Sequence, residues 1–219
     1  MMDVWNWDFA LSILPALLDG LLITLLATVL GSLLAFTLGL VFALLLRAPL
    51  GPVRVLVRGF VEFVRSTPLL VQIFFLFYVL PDYGVVLNAI TVGVLGLGLH
   101  YATYTAEVYR AGIDAVPRGQ WEAATALSLP RYRVWTGVVL PQAVPRVLPA
   151  LGNYVISMFK ETPLLIGIGV FDLVGQAREV GGIEFRYVEA YTLAGLFFLL
   201  LSYPSALLLR RLERRVGVL

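Results

Sequence analysis

The stretch 20-GLLITLLATVLGSLLAFTLGLVFALLL-46 holds no Asp, Glu, Lys or Arg in 27 residues. A helix rising 1.5 Å per residue needs about 20 residues to cross roughly 30 Å of hydrocarbon, so this segment predicts a membrane span. Tyr83 to Ala106 and Ala190 to Leu209 are equally free of charge. Gly59 to Leu80 and Val147 to Val170 have the length but are interrupted, the first by Glu62 and Arg65, the second by Lys160 and Glu161. The reading is an all-α integral membrane protein with five transmembrane helices, one domain over residues 1–219. Composition agrees: 60% of residues are hydrophobic and 14% charged, with mean hydropathy +0.91, against roughly 45–50% and about 25% in soluble domains. Cysteine is absent, which excludes disulfides and thiolate chemistry. Residues 1–19 carry Trp5, Trp7 and Phe9 among three aspartates; they lack the basic start of a secretory signal and read as an interfacial N-terminal segment.

Basic residues orient the chain. Arg47, Arg54 and Arg58 follow the first span, Arg110, Arg118, Arg131, Arg133 and Arg146 lie between the third and fourth, and Arg210, Arg211, Arg214 and Arg215 close the chain. Twelve of the sixteen basic residues thus fall on one side. Asp3, Asp8, Asp19, Asp82, Asp172, Glu179, Glu184 and Glu189, eight of the fourteen acids, fall on the other. Lys/Arg-rich short loops stay in the cytoplasm, which predicts an outside N-terminus and a cytoplasmic C-terminus. The basic balance therefore reports membrane topology rather than nucleic-acid binding.

The first span also carries Ala27, Gly31, Ala35, Gly39 and Ala43 at four-residue intervals. Such a stripe lets another helix approach closely, either within the chain or in a second copy.

From Asp114 to Gln142 the chain is too polar and proline-rich to span. Pro117 suits a helix start, Trp121, Ala124 and Ser128 fall on one face, and Pro130 stops the helix. A small-residue face beside one large aromatic fits a protein groove, although periodicity alone suits an ordinary loop helix as well.

Two interrupted spans share a local pattern: Arg65-Ser66-Thr67-Pro68-Leu69-Leu70 and Lys160-Glu161-Thr162-Pro163-Leu164-Leu165. A proline within a span frees a carbonyl, so both helices are predicted to kink at corresponding depths. Kinked helices beside polar residues build transport sites near the bilayer midplane. An ionisable group at a helix centre costs about 2.5–3.5 kcal/mol on insertion scales. Glu62, Arg65, Thr67, Pro68, Lys160, Glu161 and Thr162 are accordingly candidates for a translocation path or gate. Glu62 and Arg65 could equally neutralise one another, whereas Lys160 and Glu161, about 100° apart, need outside partners. His100 reads as a hydrogen-bonded packing residue in preference to a proton relay, and Glu107 as a partner of Arg110 or Arg118. No group of His, Asp and Glu has metal-ligand spacing, so no metal site is expected.

Glu122-Ala123-Ala124, then Leu127 and Leu140-Pro141-Gln142-Ala143, resemble the cytoplasmic signature loop of permease subunits of bacterial ABC importers. Val61 to Gln72, Tyr104 to Ile113, Asn153 and Lys160 to Leu164 are similar to the polar amino acid uptake branch. The resemblance covers about Leu14 to Arg211. It departs at Ser128, where the family usually has Gly, and at Pro163, where it often has Ser. The resemblance implies the type I ABC importer permease fold, with 114–142 as a cytoplasmic coupling-helix loop in which Gly119, Trp121, Glu122, Ala123, Ala124 and Ser128 meet an ATPase. It implies ATP-binding subunits, a second permease copy or sister permease, a periplasmic or lipoprotein substrate-binding protein, and import of polar or charged amino acids across the bacterial inner membrane. No Gly-x-x-x-x-Gly-Lys-[Ser/Thr] occurs, so this chain is expected to be no enzyme and to hold no cofactor, with ATP and Mg bound by the partner ATPase. The alternatives are the same class with an opine or osmolyte as cargo, or a gradient-driven secondary transporter. The residues leave open which amino acid is carried.

Overall fold

The computed structural model describes residues 5–216; Asp3 and the first four residues of the expected interfacial segment lie outside them. Within that range the chain forms α1 (Trp7–Ser12), α2 (Leu14–Leu46), α3 (Gly51–Arg65), α4 (Leu69–Phe74), α5 (Ala89–Asp114), α6 (Arg118–Ala126), α7 (Arg131–Arg133), α8 (Leu140–Glu161), α9 (Leu173–Ile183) and α10 (Tyr187–Val216). A π-helical turn, Phe75–Val79, and a 3-10 turn, Leu80–Tyr83, follow α4; a second π turn, Val134–Val139, joins α7 to α8; and a 3-10 segment, Thr162–Ile168, follows α8.

Among the described residues two helices, Leu14–Leu46 and Tyr187–Arg215, are each long and apolar enough to cross a membrane unaided. Gly51–Arg65 with Leu69–Tyr83 passes only as a pair bent by 103°, and Arg131–Ile168 with Leu173–Ile183 only as a pair bent by 51°. The expected span boundaries therefore shift. The first helix begins at Leu14 rather than Gly20, absorbing the end of the interfacial segment, because Pro15 fits the first turn of a helix. The helix in the place of the third expected span, α5, begins at Ala89 rather than Tyr83 and is not among those that pass as a crossing by length and apolarity. Gly84, at φ +82, ends the 3-10 turn before it, and the Asn88 side chain accepts from Thr91 N at 2.8 Å to start the helix.

The core is α2 against α5, joined by α8. All five residues of the Ala27–Ala43 stripe are buried. A Cβ on Gly39 would collide with Thr105 Oγ1, and that hydroxyl donates to Ala35 O at 2.8 Å. The stripe serves packing within the chain, where small residues let two backbones close on one another. The opposite face of α2, with Leu22, Val29, Leu33 and Leu44 exposed, matches hydrocarbon rather than water. At their C-terminal ends Arg47 and Asp114 form a 2.6 Å ion pair, so α2 and α5 finish together at the end that also carries α6.

Two acids expected on outer loops are buried. Asp172 caps α9, accepting from Gly175 N at 2.9 Å, and Glu189 pairs with Arg186 at 2.7 Å and accepts from Asn6 N. Local sequence showed them as loop acids; their burial depends on donors brought by other helices.

Candidate translocation path and docking helix

The first corner follows from Pro68. It has no N–H, so the carbonyl four residues earlier, on Val64, loses its helical donor and α3 ends at Arg65. Ser66 N still reaches Glu62 O at 2.9 Å, and the Thr67 hydroxyl bonds Phe63 O and Val64 O at 3.2 and 3.1 Å. The Gln72 amide, one turn into the next helix, donates to Val64 O at 2.7 Å, Thr67 O at 3.0 Å and Thr67 Oγ1 at 2.8 Å.

At the second corner α8 ends at Glu161, and Pro163 lies in the first turn of the 3-10 segment; the carbonyl four residues before it, on Phe159, is met by the Thr162 hydroxyl at 3.2 Å. Buried Thr162 donates to Asp172 Oδ2 at 3.0 Å, and Leu173 N bonds Thr24 Oγ1 at 3.0 Å. The 51° bend comes only after Ile168, in the break to Leu173 that opens with the left-handed Gly169. The expectation of matching proline kinks is thus corrected: Pro68 makes the sharp corner and Pro163 accompanies a change of helix type.

The two corners meet. Arg65, Thr67 and Pro68 line a depression of about 440 Å³ with Glu161, Leu164, His100 and Tyr104. The Arg65 guanidinium lies over the Tyr104 ring, 5.1 Å from its centroid, within the range of cation–π attraction. Tyr104 packs on Tyr101 and Tyr154 at 6.1 and 5.8 Å. The Glu161 carboxyl lies against the Tyr101 hydroxyl, while its Oε2 is buried with no hydrogen-bond partner among the described residues. A carboxylate oxygen left so in a membrane protein is costly until a donor arrives. A separate crevice of about 300 Å³, between Phe60, Phe63, Val71 and Phe75, has no charged lining and does not suit a polar cargo.

The other sequence candidates scatter. Exposed Glu62 lies in a neighbouring depression of about 370 Å³ with Arg58, Glu107 and Arg110, and shares Arg65 with the first. Among the described residues Glu62 and Arg65 form no ion pair with each other, whereas Glu107 pairs with Arg110 at 2.8 Å as expected. Lys160 is exposed and lines neither depression, and Thr162 is sealed inside by Asp172. Sequence reasoning missed Gln72, Tyr101 and Tyr104. The spacing of Tyr101 and Tyr104, i to i+3 beside His100, was the available signal for an aromatic face on α5.

In the loop, α6 starts after Pro117 and ends in a Schellman motif: Leu129 N bonds Ala124 O at 3.1 Å and Ser128 N bonds Thr125 O at 2.9 Å. Ser128 holds the left-handed position at φ +50 that Gly fills without strain. Gly119, Glu122, Ala123 and Ser128 are exposed. Trp121 instead turns inward, packing edge-on to Trp135 at 5.5 Å beside Ile113, Val116, Val139 and Ala143, and Ala124 is buried. The face holding Trp121 and Ala124 is therefore the helix's own anchor, and the opposite face is free.

Residues 35–218 match the family described as binding-protein-dependent transport system inner membrane component. The chain belongs to that family. The permease is 44% identical to a probable amino-acid ABC transporter permease protein of Sinorhizobium fredii, over 96% of this chain and 94% of the relative. It is 34% identical to an L-cystine transport system permease protein of Bacillus subtilis, over 96% and 93% of the two chains. With a glutamine transport system permease protein of Escherichia coli it shares 35% identity over 73% and 74%. Its fold superposes with TM-score 0.90 on the crystal structure of an amino acid ABC transporter with histidines, at 34% identity and covering 96% and 99% of the chains. Family membership makes this permease a membrane component of a binding-protein-dependent system and decides against the gradient-driven alternative.

Proposed function

We propose that this permease is the membrane-spanning subunit of an ATP-driven importer of polar or charged amino acids, and that its cargo passes the depression between the two corners. The observation that carries this reading is Glu161, which lines the same depression as Arg65 and whose buried Oε2 has no hydrogen-bond partner among the described residues. An amino acid brings one ammonium and one carboxylate. Glu161 supplies the acceptor for the first and Arg65 the guanidinium for the second, so neither charge is left unpaired in a low-dielectric path. The amino-acid names of the relatives support this cargo class.

In this reading the chain crosses five times, by α2, the α3–α4 corner, α5, α8 with its 3-10 extension, and α10, with the N-terminus outside and the C-terminus in the cytoplasm. The Arg47–Asp114 pair supports it, since the first and third crossings must then end on the same side. The coupling helix is α6, anchored by Trp121 and Ala124 and offering Gly119, Glu122, Ala123 and Ser128 to an ATP-binding subunit that holds the ATP and Mg. A second permease, identical or sister, and a substrate-binding protein complete the assembly. The test is affinity purification of the tagged chain from its membrane beside Glu122→Lys. A P-loop ATPase with the wild type, depleted at least roughly tenfold in the variant, is expected for a reversed charge at a docking surface. Equal recovery from both would sink the docking assignment.

A further inference from the structure

The Gln72 amide does more than tidy a broken helix end. Apart from Val61 and Val64, α3 buries no side chain, and its other apolar hold is Phe60 edge-on to Phe42 of α2 at 5.8 Å; the Ser66–Pro68 corner itself is open to the depression. Those apolar contacts lie before the corner, so at the corner directional polar contacts fix the geometry. One amide nitrogen meets three acceptors across the corner, at 2.7, 3.0 and 2.8 Å. Its other end is held from a different helix, with Gln72 Oε1 3.2 Å from His100 Nδ1 on α5. That assigns the amide orientation, because a reversed amide would face Val64 O and Thr67 O with an oxygen. It also places the imidazole proton on Nδ1. One turn further along α5 stands Tyr104, its ring 5.3 Å from that of His100, and on Tyr104 lies Arg65, the last residue of α3.

We infer that Gln72 and His100 are positioning residues for transport: together they form a strut from α5 to the Ser66–Pro68 corner that fixes the α3–α4 angle and so holds Arg65 over Tyr104 at the path. This rests on the assignment of Arg65 to the path, and the experiment separates the two. Cutting the strut leaves the Val64 carbonyl short of its best donor and lets α3 swing, which displaces a cargo-facing cation without removing it. The effect belongs in the concentration dependence of uptake rather than in assembly.

The importer complex, reconstituted in proteoliposomes with its ATPase and binding protein, is assayed with radiolabelled L-arginine, L-glutamine and L-cystine in turn. Gln72→Leu and His100→Phe are each expected to raise KM about tenfold, the equivalent of one buried hydrogen bond, with Vmax within about twofold. The double variant should match either single one, since both cut the same strut. His100→Asn, which sets an amide donor where Nδ1 lies, should bring KM back to within about threefold of wild type. Arg65→Met is the control. If it raises KM while Gln72→Leu and His100→Phe do not, the strut is overturned; if His100→Asn is as impaired as His100→Phe, bulk rather than the donor matters and the strut is likewise overturned. If Arg65→Met leaves KM unchanged, the path assignment fails instead. Should Gln72→Leu not assemble, the contrast between His100→Phe and His100→Asn decides alone.

Discussion

The corners at Thr67-Pro68 and Thr162-Pro163 begin from nearly the same six residues and end as different devices. At the first, the helix stops, turns through 103° and restarts, and the freed carbonyls are met by a side chain at the edge of an open depression. At the second, the chain slides into a 3-10 segment whose threonine is sealed against a buried aspartate. The proline supplies a broken ladder in both cases. The partner decides the rest: a Gln on the following helix permits a sharp exposed turn, while an Asp within the packed α2–α9 junction holds the chain inside. The depression proposed as the path is thus lined by one held wall and one hinged wall, with Glu161 on the first and Arg65 on the second.

The largest effect that could break this contrast is at Asp172. Asp172→Leu removes the acceptor of the Thr162 hydroxyl and of Gly175 N, a loss of about 2–4 kcal/mol for buried donors left unpaired. The purified complex should melt roughly 5–15 °C lower; a shift under about 2 °C would mean the second corner is not held from within. Glu161→Gln comes next. It leaves that scaffold intact but deprives the path of its carboxylate, so uptake should fall at least about tenfold while the melting temperature stays within about 2 °C. Unchanged uptake would remove Glu161 from the path. The smallest effects give the sharpest comparison. Thr162→Val should cost about 1–2 kcal/mol, seen as a melting shift of roughly 3–6 °C. Thr67→Val should cost under about 1 kcal/mol, because Gln72 still serves Val64 O and Thr67 O. Equal shifts for the two threonines would erase the distinction between held and hinged corners.

Much of this was legible in the residues. The charge-free run from Gly20 to Leu46 and the Ala27–Ala43 stripe announce a membrane helix with one close-packed face. The prolines announce two interruptions, and Pro117 and Pro130 bracket α6. Arg65 and Glu161 were picked as costly groups in apolar surroundings, and they do line one depression. Lys160, singled out by the same cost, and Thr162, singled out by the Thr-Pro pattern, lie elsewhere, because sequence adjacency to Glu161 says nothing about which way each side chain leaves a helix that is about to change pitch. Trp121 and Ala124 were on the expected face, but that face looks inward: a small-residue face with one aromatic fits the chain's own Trp135 as well as it fits a partner.

By itself the sequence determined solvent and where helices break, since these depend on local apolarity and missing N–H groups, and its charge counts set an expected sidedness. Only the tertiary structure decided what each break becomes and which polar side chains meet. Gln72 reaches His100 across 28 positions of chain, Thr162 reaches Asp172 beside Thr24, and Arg65 comes to lie over Tyr104. Hydrogen bonds and cation–π contacts act over a few ångströms, and only the packing of α2, α5 and α8 brings their partners within that range.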